Sequence, residues 1–284
     1  MPISVLSAPS VEALQFSVFL AVLGLLVGSF LNVIVYRLPV MMMRDWRKQA
    51  SELLNLPVAE HDQDIFNLAL PDSRCPCCHH KIKPWENIPV VSWLFLRGRC
   101  SSCKQPISVR YPIVELACGV LSGVVAWQFG FGLQAFAFVL LTWGLLALSL
   151  IDADHQLLPD VLVLPLLWLG LIVNYYGLFA SLNDALWGAV IGYMSLWLLY
   201  WAFKLIRGKE GMGYGDFKLF AVAGAWGGWQ VLPATIMIAA FAGLVVSVGL
   251  LFCQRKGFDK PISFGPYLAL AMWAAIMGAE SALF

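Results

Sequence analysis

The sequence predicts an all-α polytopic membrane protein of about eight transmembrane helices, with a cytoplasmic zinc-binding loop between helices 1 and 2. Three observations carry this. Of 284 residues, 60% are hydrophobic and 12% charged, and the mean hydropathy is +0.78, far from the balance of a soluble domain. Apolar runs of membrane length, roughly 20 residues, recur near 13–36, 112–130, 132–151, 158–177, 183–205, 216–230, 231–252 and 264–283. Finally, eight spans would leave all eighteen Lys and Arg residues on or near one face.

The first run lacks a basic stretch before it and a small-residue cleavage pattern, so it reads as a retained helix. Near its inner end Gly28, Asn32 and Tyr36 stand four apart on one helix face, with Ser29 beside them and Arg37 following. Small and polar residues in that register serve close helix packing or a site. Cys118 and Cys253 lie within spans and read as packing residues. The sixth run is interrupted at Gly227-Gly228, which leaves a short or re-entrant segment as an alternative. Eleven of the basic residues lie from Arg37 to Arg110, four from Lys204 to Lys218 and three from Arg255 to Lys260. Lys and Arg mark cytoplasmic loops, so the long loop is expected inside and both termini outside. The expected organisation is a first helix at 1–38, a loop at 39–111 and a core of about seven helices at 112–284. The net charge of +1 identifies no partner, and no nucleic acid is expected.

The loop begins with Met42, Trp46, Ala50, Leu53 and Leu54 at helical spacing, flanked by Arg44, Arg47 and Lys48. This fits either an amphipathic helix on the membrane surface or an ordinary packed helix. Glu60, Asp62 and Asp64 then form a short acidic patch, solvated or able to attract a basic peptide. Next come Cys75-Pro-Cys-Cys78, 21 residues, and Cys100-Ser-Ser-Cys103. Two CxxC pairs at that separation suit tetrahedral zinc held by Cys75, Cys78, Cys100 and Cys103. Cys77, His79 and His80 are spare donors, and redox-active or structural dithiols are the alternative to metal. So small a loop has little core, which makes metal its main fold-determining element.

Gly211-Met-Gly213-Tyr-Gly215-Asp216 brings a carboxylate to the edge of an apolar run, where Asp is either a helix cap or part of a site. The third span ends at Asp152 on the same membrane face, which makes Asp152 its expected partner. Asp154 and Asp160 compete from the same turn but lie further from the apolar run. Two carboxyl groups in a poorly hydrated place share a proton and titrate as a pair, the requirement for aspartyl proteolysis. A cation- or proton-coupled transporter is the alternative from another class, although its carboxylates belong near the midplane. A membrane scaffold carrying a zinc loop is a third reading.

Taken together, Gly28-Ser-Phe-Leu-Asn32, Tyr36-Arg-Leu-Pro39, the two CxxC pairs, Arg110-Tyr-Pro112 with Glu115, Ile151-Asp152 and Gly211-x-Gly-x-Gly-Asp216 closely resemble the bacterial type IV prepilin peptidases. The motifs span almost the whole chain in a consistent order. The resemblance implies a bifunctional enzyme of the bacterial inner membrane with periplasmic termini. It implies removal of the basic leader of prepilins and type II secretion pseudopilins after a glycine, then N-methylation of the new terminus from S-adenosylmethionine. The family's catalytic aspartates fall on Asp152 and Asp216, and its cysteine motif on Cys75, Cys78, Cys100 and Cys103. The cysteine loop favours the bifunctional type over peptidase-only relatives, with structural zinc. Gly211, Gly213 and Gly215 are candidates for contact with an extended substrate backbone. No Gly-rich strand-to-helix nucleotide fingerprint is present, so methyl transfer rests on the resemblance alone.

Overall fold

Long apolar runs without internal breakers satisfy their backbone groups internally only as helices, and the computed structural model is built of them. It describes residues 11–57, 66–209, 212–253 and 263–282. The acidic patch Glu60, Asp62 and Asp64, the candidate Gly211, the basic turn Arg255, Lys256 and Lys260, and both chain ends lie outside the described residues. Among the described residues there is no strand, only the isolated bridges Arg74↔Lys81 and Arg99↔Pro106.

Helices stand at all eight expected apolar runs: α1 (Val11–Leu53), α3 (Arg110–Phe129), α4 (Leu133–His155), α5 (Asp160–Tyr175), α6 (Leu182–Arg207), α7 (Tyr214–Gly227), α8 (Leu232–Cys253) and α9 (Gly265–Ala282), with a short α2 (Val91–Phe95) in the loop. Among the described residues, five segments are long and apolar enough to cross a membrane by length and composition: α1, α3, α4, α6 and Trp229–Gly249. α5 and α9 are apolar but shorter, and α7 has only 14 residues. The chain is thus a multi-pass membrane protein, and five spans rather than eight meet the length criterion. Residues 41–53 form no separate surface helix but continue α1, because nothing after Pro39 breaks the helical run. The stretch 216–252 divides at Gly228, whose φ of +76° ends α7 before a 3₁₀ turn at Trp229–Val231 and the start of α8.

Two compact units meet in sequence at Trp143 and Gly144. In the first, α1 packs on α3 through small residues. A Cβ at Gly28 would sit 2.8 Å from Glu115 Cα, so the helices approach to backbone contact there. Asn32 Nδ2 donates to Gly28 O at 3.2 Å and to Tyr111 O at 3.3 Å, while Tyr36 is exposed. Packing therefore accounts for Gly28 and Asn32 but not for Tyr36. Cys118 is fully buried in this seam, and its carbonyl accepts from Ser122 Oγ at 2.7 Å.

The second unit is built around α7, which packs against α5, α6 and α9. Ten of its 14 residues, from Asp216 to Trp226, are buried, so a helix too short to span a bilayer is enclosed by protein rather than lipid. Gly188 of α6 and Gly224 of α7 touch through their backbones, leaving no room for a Cβ on either. Buried Asn174 closes the C-terminal end of α7. Its Nδ2 donates to Ala225 O and Trp226 O, both at 2.8 Å, and its Oδ1 accepts from Phe179 N at 3.0 Å and Ala180 N at 2.9 Å. Trp226 Nε1 donates to Leu166 O at 2.8 Å, tying α7 to α5.

Candidate active site and metal centre

Asp152 lies in the last turn of α4 and Asp216 in the first turn of α7, and both are buried. The helix cap before α7 is Gly213, not Asp216. Asp216 is the third residue of the helix, within its first turn, and its N–H donates to Gly213 O at 3.2 Å. Its carboxyl lies within electrostatic reach of Asp152. The structure thus brings the two together in one unit.

The competitors are placed otherwise. Asp154 is exposed, and Asp160 at the start of α5 is held by Lys218 Nζ, 2.7 Å from each of its carboxylate oxygens. That ion pair joins α5 to α7 and leaves Asp160 engaged. Of the glycines before Asp216, Gly213 is exposed. Gly215 lets the start of α7 approach the turn between α4 and α5, for a Cβ there would meet Leu158 Cβ at 2.8 Å.

Gly265, at the start of α9, was not singled out in the sequence. Its N–H donates to Asp152 Oδ2 at 2.9 Å, and a Cβ at this position would lie 2.6 Å from the same oxygen. The first N–H groups of a helix have no partner within it, and Pro266 fits a first helical turn, so Phe264-Gly265-Pro266 makes a helix start with a donor to offer. A Gly-Pro pair opening the last apolar run was the available signal.

The loop holds the second centre. Cys75, Cys78, Cys100 and Cys103 bring their four sulfurs within 4.8 Å of one another, and the group could hold a metal ion. Cys75 Sγ is 3.8 Å from Cys103 Sγ, and Cys78 Sγ is 4.0 Å from Cys100 Sγ. A tetrahedron of Zn–S bonds has edges of about 3.8 Å, so the thiols already stand at zinc-ligand spacing.

Two like-folded turns produce this arrangement. Cys75 N donates to His80 O at 2.9 Å and His79 N to Cys75 O at 2.9 Å; Cys100 N donates to Gln105 O at 2.8 Å and Lys104 N to Cys100 O at 3.1 Å. His79 and Lys104, each four residues after the first cysteine, share a left-handed backbone at φ 57° and 60°. Backbone N–H groups of Cys78 and Cys77 hold the Cys75 thiol below its ordinary range, and that of His80 does the same for Cys78. Cys77 and His79 are exposed outside the cluster, and His80 faces Glu86 at 3.3 Å. The Lys83 N–H, the Ser101 side chain and His80 together hold the Glu86 carboxyl below the usual carboxylate range.

Two buried groups tie the loop to the helices of its unit. Arg37 donates from Nη1 to Asn67 O at 2.9 Å and from Nη2 to Pro71 O at 2.6 Å. Glu115 Oε2 accepts the Val90 N–H at 2.7 Å. Both residues belong to motifs noted in the sequence, and both turn out to anchor the loop.

Residues 22–129 match the family described as the Bacterial Peptidase A24 N-terminal domain, and residues 139–248 match the Type IV leader peptidase family. Curated relatives named prepilin leader peptidase/N-methyltransferase include one from Stutzerimonas stutzeri, 65% identical over 93% of this chain and 91% of its own length. One from Pseudomonas aeruginosa is 62% identical over the same shares, and one from Neisseria gonorrhoeae is 50% identical over 92% of this chain and 90% of its own. No solved structure matches the chain. The fold defines a helical multi-pass membrane protein with a four-cysteine loop module. The chain belongs to the type IV leader peptidase family. That membership does not favour the transporter reading.

Proposed function

We propose that the protein removes the basic leader from type IV prepilins and type II secretion pseudopilins after a glycine, at the cytoplasmic face of the bacterial inner membrane, and then N-methylates the new terminus. The observation that carries the reading is the pair of buried carboxyls, Asp152 and Asp216, within electrostatic reach of each other at the ends of two helices. Kinship with relatives named for both activities supports it. With both termini periplasmic, these helix ends face the cytosol, where a basic leader meets the apolar helix of the substrate. One carboxylate draws a proton from water while the protonated partner polarises the scissile carbonyl. Asp152 suits the base, because the Gly265 N–H is a fixed donor that a carboxylate accepts; Asp216 then serves as the acid. Glycine before the cut eases unwinding of the substrate, and the exposed Gly213 leaves the enzyme backbone open to it.

The four cysteines fit structural zinc, which bound there would cross-link the two turns with no open coordination position. S-adenosylmethionine is the methyl donor in this reading. No strand-to-helix nucleotide turn occurs among the described residues, and methyl transfer rests on kinship. One experiment tests both activities. Purified protein is incubated with a prepilin, with and without S-adenosylmethionine, and the product mass is read. Loss of the leader in both reactions, with one added methyl only when the donor is present, is expected. An uncut prepilin refutes the peptidase, and a cut but unmethylated product refutes the transferase.

A further inference from the structure

The geometry points to a membrane-dipping element in the loop: the segment from Trp85 to Phe95 inserts into the anionic headgroup layer of the bilayer the chain crosses, holding the cysteine module against the lipid surface. Depth is the first argument. Val90 is bonded to Glu115, the sixth residue of α3, so this segment lies level with the first turns of that helix rather than above it. α3 has 20 residues, about the length needed to cross the hydrocarbon, so its first turns lie in the headgroup zone. What surrounds the protein at that level is lipid interface.

The second argument is the face presented there. Val91, Leu94 and Phe95 share one side of α2, and all three are exposed, Phe95 at 84% and Leu94 at 61%. Trp93 instead turns inward, donating from Nε1 to Ile107 O at 3.2 Å. Trp85 is 63% exposed with Lys83 Nζ 5.3 Å from its ring centre, an aromatic and a cation side by side as membrane interfaces favour.

Charge is the third. From Lys81 to Lys104 the chain carries five Lys and Arg residues against the single acid Glu86, which the loop's own groups already engage. A cleft of about 440 Å³ lined by Phe95, Leu96, Arg97, Arg99 and Lys104 sets an apolar wall beside three cations. That combination suits an acyl chain below a phosphate. The inference does not depend on the peptidase reading.

The test places a fluorescent aromatic amino acid at Phe95 or, as a remote reference, at Glu52 near the far end of α1 in the full-length protein. Metal content matching the parent shows that each labelled protein is folded. The proteins are reconstituted in phosphatidylcholine nanodiscs, with and without phosphatidylglycerol, using lipids brominated on the acyl chains. We expect quenching of about twofold or more at position 95, deeper with phosphatidylglycerol, and none at position 52. Combined Arg97→Gln, Arg99→Gln and Lys104→Gln should remove the phosphatidylglycerol increment. Equal signals at the two positions, or no quenching at 95, overturn the inference. So does protection of position 95 only by a prepilin or by a second copy of the chain, which would make the face a protein-docking surface.

Discussion

The cysteine module and the surroundings of α7 hold reactive side chains by opposite means. In the module, four sulfurs are set by two short turns with almost no apolar core, and residues such as Trp85 and Phe95 remain exposed. Around α7, Asp216 lies in the first turn of a helix with ten of its 14 residues buried, and even the backbone of its C-terminal end is satisfied by Asn174. The first arrangement has little apolar packing to hold it and presents four thiols that could share a metal ion. The second rests on close packing between helices, down to the backbone contact of Gly188 with Gly224. A membrane protein with both kinds of support should therefore fail in two separable ways.

The largest effect is expected from Asp152→Asn and Asp216→Asn, each lowering leader cleavage by about 10²–10⁴-fold, while the protein still inserts and keeps its metal. Rates with a purified prepilin check this, and substantial cleavage by either variant breaks the pair. Next is Cys100→Ser, which should release zinc and open residues 66–109 to limited proteolysis with the helices of the second unit intact. Full metal content by elemental analysis would show that the module does not depend on four thiolates.

Gly265→Ala sharpens the comparison on the packed side, since the added methyl meets Asp152 Oδ2. A fall in kcat of roughly 10–10²-fold with little change in KM is expected, because the site is displaced rather than emptied. An unchanged kcat would remove Gly265 from the machinery. Smallest in its effect on chemistry, Asn174→Ala leaves the Ala225 and Trp226 carbonyls without their donor. It should cost about 2–4 kcal/mol and lower the melting temperature in detergent, with zinc content unaltered. Loss of zinc in this variant would show that the two supports are not separable.

Much of this was legible in the sequence because membranes leave so few solutions. Apolar run length located the helices, and CxxC spacing located the sulfurs, since two short turns can present four thiols from local chain geometry alone. The fate of Met41 to Leu53 was not legible, as helical spacing is the same for a surface helix and for an extension of α1. Nor was the role of Asp160, since its removal from the competition depends on Lys218, 58 residues away. For Gly265 the Gly-Pro pair marks a helix start, but its partner, Asp152, lies 113 residues away and is reached through a backbone N–H, so residue type alone does not connect the two.

The continuity of α1 has a practical consequence for the segment that follows it. At a rise of about 1.5 Å per residue, the end of the helix at Leu53 stands about 14 Å beyond Arg44. The chain must come back by about that much, because the Arg44 guanidinium stacks 4.4 Å above the Phe66 ring. The dozen residues between Leu53 and Phe66 could reach about 40 Å if extended. Their length is more than double what the return requires. The stacking of Arg44 on Phe66 therefore does not depend on the full length of the connection between them.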